Sequence, residues 1–277
     1  MAPDVPDWLG ALIAFVFGAS IGSFVNVVAY RLPREISIAT PRSFCPACNR
    51  SIPWWTNIPI LAYLGLRGRC IMCGAPIAFR HFLAEIALAV TAAYLYLHFP
   101  FLDALARFVF CAALFIVALI DYDWRLIPNI ITFPGIPLGL IAAALVIPEV
   151  GLKRSLIGIA IGWGFLFLTG EVYFWLRGRE GVGMGDVWLL GMVGAFMGWP
   201  GAIFTLFVGS IFGSVGGLLA AFTGGGPPPL DADASVPEEE ADASVMQTTV
   251  PFGPFLSLAA GVFALFQPQI KRWYLGH

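Results

Sequence analysis

Charge is what this chain of 277 residues has least of: Asp, Glu, Lys and Arg make up 12% of it, about half the roughly 25% of an ordinary soluble domain. With 59% hydrophobic residues, a soluble globular fold is excluded. The net charge of −2 leaves no basic field for nucleic acid, and none is expected as a partner. Histidine is almost absent. His81, His98 and His277 are scattered, so no Ser-His or Cys-His set can be assembled and no H-E-x-x-H zinc-protease helix exists. A glycine-rich Rossmann fingerprint is missing too, as is any internal repeat. The N-terminus has no basic region and carries Asp4 and Asp7 instead. The apolar run 8–30 therefore reads as a retained membrane helix and not as a cleavable signal peptide.

Apolar runs are what the chain has in abundance. After 8–30 they recur at about 82–99, 102–120, 130–148, 155–176, 187–199, 201–222 and 251–268. The expected fold is an all-α polytopic membrane protein with about eight transmembrane helices. The run 187–199 is short enough to be tilted or a partial span. Residues 1–30 form the first helix. Residues 31–80 differ in character: they hold seven of the fifteen Lys and Arg residues and four of the five cysteines. Pro33, Pro41, Pro46, Pro53, Pro59 and Pro76 exclude a long helix there. Arg31 and Arg34 at the end of the first run place this segment in the cytoplasm. Residues 81–277 form the remaining membrane core. Within it, 224–248 opens on Gly-Gly-Gly-Pro-Pro-Pro and continues as an acidic stretch without a basic residue, the composition of a disordered tether.

The segment 31–80 carries a metal pattern. Cys45-Pro-Ala-Cys48 and Cys70-Ile-Met-Cys73 are two C-x-x-C pairs with 21 residues between them. Four thiolates so spaced can close a tetrahedral zinc site with no open position, which makes zinc structural. Two disulfides are the alternative, disfavoured by a reducing cytoplasm. Cys111 lies inside an apolar run and reads as a small packed hydrophobe.

Two acidic motifs sit at the borders of apolar runs, where a charge is costly and suggests function. Asp121 closes one run and is followed by Tyr122, Asp123 and, further on, Pro128; Gly183-Met184-Gly185-Asp186 opens another. Threading from a cytoplasmic 31–80 puts Asp121 and Asp186 on the same, cytoplasmic side. Asp121 and Asp123 lie about 200° apart on a helix, so only one can face a common site. Asp121, adjoining the apolar run, is the nearer. Gly183 and Gly185 permit unusual backbone and close approach. A helix cap is the simpler reading of Asp186. Two carboxyls that share a proton can instead activate water against a peptide bond.

Taken together, Gly22-Ser-Phe-Val-Asn26 through Arg31-Leu-Pro33, the paired cysteines, Asn57-Ile-Pro59 with Tyr63-Leu64, Leu66-Arg-Gly-Arg-Cys70, the stretch from Asp121 to Pro128, Gly183-Met-Gly-Asp186 and Pro251-Phe-Gly-Pro-Phe255 resemble the bifunctional prepilin peptidases of type IV pilus and type II secretion systems. The resemblance runs through nearly the whole chain. It implies a multi-pass aspartic protease of the bacterial inner membrane. Asp121 and Asp186 would be the dyad, Gly183 and Gly185 would support it, and type IV prepilins and pseudopilins would lose a basic leader after a glycine. It further implies N-methylation of the new N-terminus, usually phenylalanine, with S-adenosylmethionine, and places Gly68 and Arg69 where methylation has been located. The bilayer, together with the prepilins, is the expected partner. Trp188 and Arg69 stand where the family commonly has lysine, and 224–248 is foreign to it. The rival readings are a Gly-x-Gly-Asp protease of signal-peptide-peptidase type, using Tyr122-Asp123, and a zinc-stabilised membrane scaffold or transporter.

Overall fold

In a computed structural model, residues 6–40, 42–178, 181–223 and 251–275 can be described; the acidic stretch 224–248 lies outside them. The described chain is almost wholly helical: α1 (Asp7–Arg31), α2 (Leu61–Gly65), α3 (Phe79–His98), α4 (Phe101–Trp124), α5 (Asn129–Leu145), α6 (Gly151–Arg177), α7 (Met184–Thr223) and α8 (Gly253–Leu275). Six of these are long and apolar enough to cross a membrane, and α5 is a shorter apolar helix. The two expected runs 187–199 and 201–222 share α7, which breaks at Gly198 (φ 70°, ψ −176°), a backbone region open essentially to glycine. Pro200 follows and adds its own constraint on the preceding residue. The eight apolar runs are thus all helical, two of them in one broken helix.

The chain forms two compact units, Met1–Ile116 and Val117–His277. In the first, α1 packs on α3 through small residues. Gly18 faces Ala89 and Ala92, and Gly22 lies over the Cα of Glu85, where a Cβ would come within 2.6 Å. Asn26 Nδ2 donates to the His81 carbonyl (3.1 Å). Arg31 ends α1 and bends its guanidinium back to the Ser37 and Ile38 carbonyls, organising the exit from the membrane. In α4, Arg107 is fully buried and its Nε donates to Asp103 (2.6 Å), one turn earlier, beneath the Phe99 ring. Arg107→Leu, which takes the Nε donor from the buried Asp103 carboxyl, is expected to cost about 3–5 kcal/mol. The double Asp103→Leu/Arg107→Leu variant should recover most of it in thermal unfolding of the detergent-solubilised protein.

In the second unit, α7 is the central element. Its first half packs on α6, with Gly158 against Gly194 and Gly162 against the Leu190 carbonyl, and on α5, where Gly135 accommodates Met192. Its second half packs on α8, with Gly209 against Leu256 and Gly213 against Phe252. Without side chains at these positions the helix axes approach closely. The packing brings the start of α7, the start of α8 and the end of α4 into one neighbourhood.

Candidate active site and metal centre

Helix α4 stops where Arg125 enters the left-handed region (φ 53°), its N–H donating to the Asp121 carbonyl (2.9 Å). Asp121 is therefore held in the last turn, 5% exposed. Its Oδ2 accepts the backbone N–H of Gly253 (2.9 Å), the first residue of α8. A Cβ at Gly253 would lie 2.7 Å from that oxygen, so only glycine lets the backbone come so near the carboxyl.

Pro128 occupies the N-cap of α5, one residue before the first-turn position where prolines usually sit. Ile127, beside it, is buried against Gly185, where a Cβ would come within 2.7 Å of the Ile127 Cβ. The second glycine of Gly-Met-Gly-Asp thus seats the α4–α5 connection on the start of α7. The first glycine, Gly183, precedes that helix, and its carbonyl accepts the N–H groups of Asp186 and Val187. A Cβ at Gly183 would crowd Asp186 Oδ2 at 3.2 Å.

Asp186 itself is not the cap. It stands inside the first turn of α7, where a carboxyl suits the helix dipole. Its Oδ1 is buried and, among the described residues, has no hydrogen-bond partner. Asp121 is close enough to act on it electrostatically. The structure therefore brings together Asp121, Asp186, Gly183 and Gly185, and adds Gly253. Asp123 is half-exposed, two residues around the helix from Asp121. Trp188 points into an aromatic wall, edge-on to Phe133 (4.5 Å) and near Trp163 (5.8 Å). The departure from lysine there is absorbed by packing. Gly253 was visible in the sequence only as part of Pro-Phe-Gly-Pro-Phe, which carries no chemistry of its own.

The four cysteines form a second centre. Cys45, Cys48, Cys70 and Cys73 bring their sulfurs within 4.8 Å of one another, and none is in a disulfide. The two C-x-x-C pairs fold alike. Cys45 N–H donates to the Arg50 carbonyl and Cys70 N–H to the Ala75 carbonyl, while Asn49 and Gly74 close each turn onto the first cysteine's carbonyl with positive φ. The 3.9 Å between Cys45 and Cys73 Sγ is near the edge, about 3.8 Å, of a tetrahedron with metal–sulfur bonds of about 2.3 Å. Amide donors favour thiolate. The Cys70 thiol is lowered to about 7, chiefly by the N–H of Met72 and then that of Cys73. Cys73 is pushed up to about 11: the Ala75 N–H pulls it down, but desolvation and hydrogen bonds with the neighbouring sulfurs outweigh this. A bound cation takes the place of thiol protons, and the four-sulfur donor set fits a divalent metal. Cys111 is buried in α4, apart from this cluster. Gly68 (φ 65°) lies against the Tyr63 ring, 2.8 Å from a notional Cβ to the hydroxyl. Arg69 is exposed and pairs with Pro76 through the backbone.

Residues 16–99 match the family described as the bacterial peptidase A24 N-terminal domain, and residues 108–218 match the type IV leader peptidase family. The chain is 32% identical to a prepilin leader peptidase/N-methyltransferase of Pseudomonas aeruginosa, covering 95% of this chain and 93% of that one. It is 33% identical to one of Burkholderia pseudomallei (95% and 87%) and 31% identical to one of Myxococcus xanthus (97% and 95%). No solved structure matches.

Proposed function

The chain belongs to the prepilin leader peptidase/N-methyltransferase family, and on that premise we propose that it removes the leader of type IV prepilins and pseudopilins by aspartic proteolysis at the cytoplasmic face of the bacterial inner membrane. It then N-methylates the exposed N-terminus. The observation that carries the proteolytic reading is the pairing of Asp121, fixed by the Gly253 N–H, with Asp186, whose buried oxygen has no hydrogen-bond partner among the described residues.

Their unequal hydrogen bonding divides the work. Asp121, held as an acceptor, is the ionised base that takes a proton from water. Asp186 holds the shared proton and presents it to the carbonyl oxygen of the scissile bond. The water oxygen bonds to the carbonyl carbon. The C–N bond then breaks as the former carbonyl oxygen returns its proton to Asp186 and re-forms the C=O bond, and the leaving amine takes up the proton that Asp121 had accepted. Gly183 and Gly185 support the dyad by keeping the approach to Asp186 clear and seating Ile127.

Residues 1–30 serve as the first membrane helix, 31–80 as a cytoplasmic domain and 81–277 as the peptidase core. Zinc is the metal that the four thiolates suit best, and its role is structural because every position is filled by protein. S-adenosylmethionine, when bound, supplies the methyl group that the amine receives. Gly68, where methylation is located by resemblance, packs on the Tyr63 ring, and Arg69 is exposed.

Purified protein given a synthetic prepilin should release the leader after its glycine, and the mature product should gain one methyl when S-adenosylmethionine is present, both read by mass spectrometry. An intact substrate after incubation with folded, metal-loaded protein would leave a scaffold as the better reading. Gly253→Ala tests the positioning of Asp121. Its methyl must displace the carboxyl, and a misplacement of this size is expected to lower the turnover rate by roughly 100-fold while the helical content stays unchanged.

A further inference from the structure

We propose that Trp54–Gly65, within the four-cysteine segment, is an interfacial element seated in the bilayer surface, with its apolar face at the boundary between lipid headgroups and acyl chains. The inference rests on the placement of α2 against a membrane-spanning helix and is independent of the peptidase reading.

Three contacts fix the depth of α2. The Ile60 N–H donates to Glu85 Oε2 (2.7 Å). The Tyr63 ring stacks on Phe82 (4.8 Å) and is tilted against Phe79 (6.3 Å). Phe79, Phe82 and Glu85 follow at spacings of three and lie along one face of α3, so α2 runs beside the first two turns of that helix. With 20 residues, α3 is about 30 Å long and only just spans the hydrocarbon core. Its whole length is thus needed inside the bilayer. Glu85, six residues in, lies about 9 Å below the start of the helix, within the depth of roughly 5–10 Å at which interfacial helices bury their apolar face. Ile60 adopts φ 64° and ψ −55°, an outlier for a β-branched residue. The Glu85 contact holds it there and turns the chain into α2.

The face of this element turned away from α3 is apolar and exposed. Leu61 and Leu64, at i and i+3, are 67% and 57% exposed, and Trp54 is 79% exposed; Trp55 and Ile58 continue the surface. Arg67 and Arg69 follow immediately and are exposed. Tryptophan beside leucine, bordered by arginine, is the composition of a surface shared between acyl chains and phosphate headgroups. A water-facing position would leave this apolar surface uncovered at a depth where water is already scarce.

The test uses the full chain in nanodiscs of phosphatidylcholine and phosphatidylglycerol, with or without phosphatidylcholine brominated on its acyl chain near the headgroup. The emission of the wild type minus that of Trp54→Phe isolates Trp54; the exposure of this side chain makes the substitution harmless to the fold. The proposal expects the brominated lipid to remove most of that difference emission and to act more strongly than aqueous iodide. Stronger quenching by iodide would place the segment in water. Quenching by neither would mean that protein covers it, as a second copy would. Either result overturns the proposal.

Discussion

Asp121→Asn and Asp186→Asn are each expected to slow release of a prepilin leader by roughly 100- to 10,000-fold, and the double variant to be little slower than either alone. Asparagine keeps the shape of the carboxyl and removes its proton chemistry. At Asp121 the amide cannot accept the proton of the attacking water, although its oxygen can still meet the Gly253 N–H. At Asp186 it leaves the buried position of Oδ1 without the proton that polarises the substrate carbonyl. The two act on one transition state, so the second loss finds little left to remove. Asp123→Asn is the discriminating control: this half-exposed side chain lies around the helix from the dyad, and its loss should leave the rate nearly unchanged. Leader release is followed by mass spectrometry with protein in detergent. Equal damage from Asp123→Asn, or a full rate for Asp186→Asn, would sink the assignment and favour the Tyr122-Asp123 alternative. A synthetic peptide that already begins at its mature phenylalanine should still be methylated by both dyad variants, because it no longer needs the hydrolysis that the two carboxyls serve.

Much of this arrangement was legible in the sequence, because the bilayer narrows the possible structures. A segment of about 20 apolar residues has few folds open to it besides a helix, so runs such as 102–120 and 155–176 marked the ends of α4 and α6 to within four residues. The break in α7 was harder to read. Gly198 and Pro200 were visible, but how the two halves join depends on the backbone of one residue. The cysteines could be read from spacing alone, since a C-x-x-C turn places both sulfurs on one side. The dyad was legible as two costly carboxyls. Its supporting groups were not, because Gly253 and Ile127 act through contacts across 132 and 58 positions of chain that no local pattern encodes. Pro128 stands at the N-cap of α5, where the long-range contact of Ile127 with Gly185 fixes the entry to the helix. Asp186 looked like a cap in sequence, yet the Gly183 carbonyl performs that role and frees the carboxyl for chemistry.

Removing the metal is expected to unfold residues 43–76 locally and to impair methylation far more than cleavage. Among the described residues between 32 and 78, only Cys45 and Gly68 are buried. A segment with so little apolar interior cannot offset the entropy of ordering its loops, and metal-binding free energy then serves as its folding free energy. Two hairpin turns, each closed by three backbone hydrogen bonds, bring their sulfurs to one centre. Loss of the cation leaves four thiols with nothing to hold the turns together. A single Cys70→Ser substitution should weaken metal binding by more than the roughly 10- to 100-fold typical of a change outside the ligand set. Metal content by elemental analysis should fall from one per chain. Limited proteolysis should cut within 43–76, and methylation of the mature peptide should drop roughly tenfold or more. Cleavage should survive better than in Asp186→Asn, because Asp121, Asp186, Gly185 and Gly253 belong to the compact unit 117–277 and owe none of these contacts to the cysteines. Loss of both activities in equal measure would mean that the cysteine domain is part of the peptidase itself. A folded wild type without stoichiometric metal would remove the structural metal from the account.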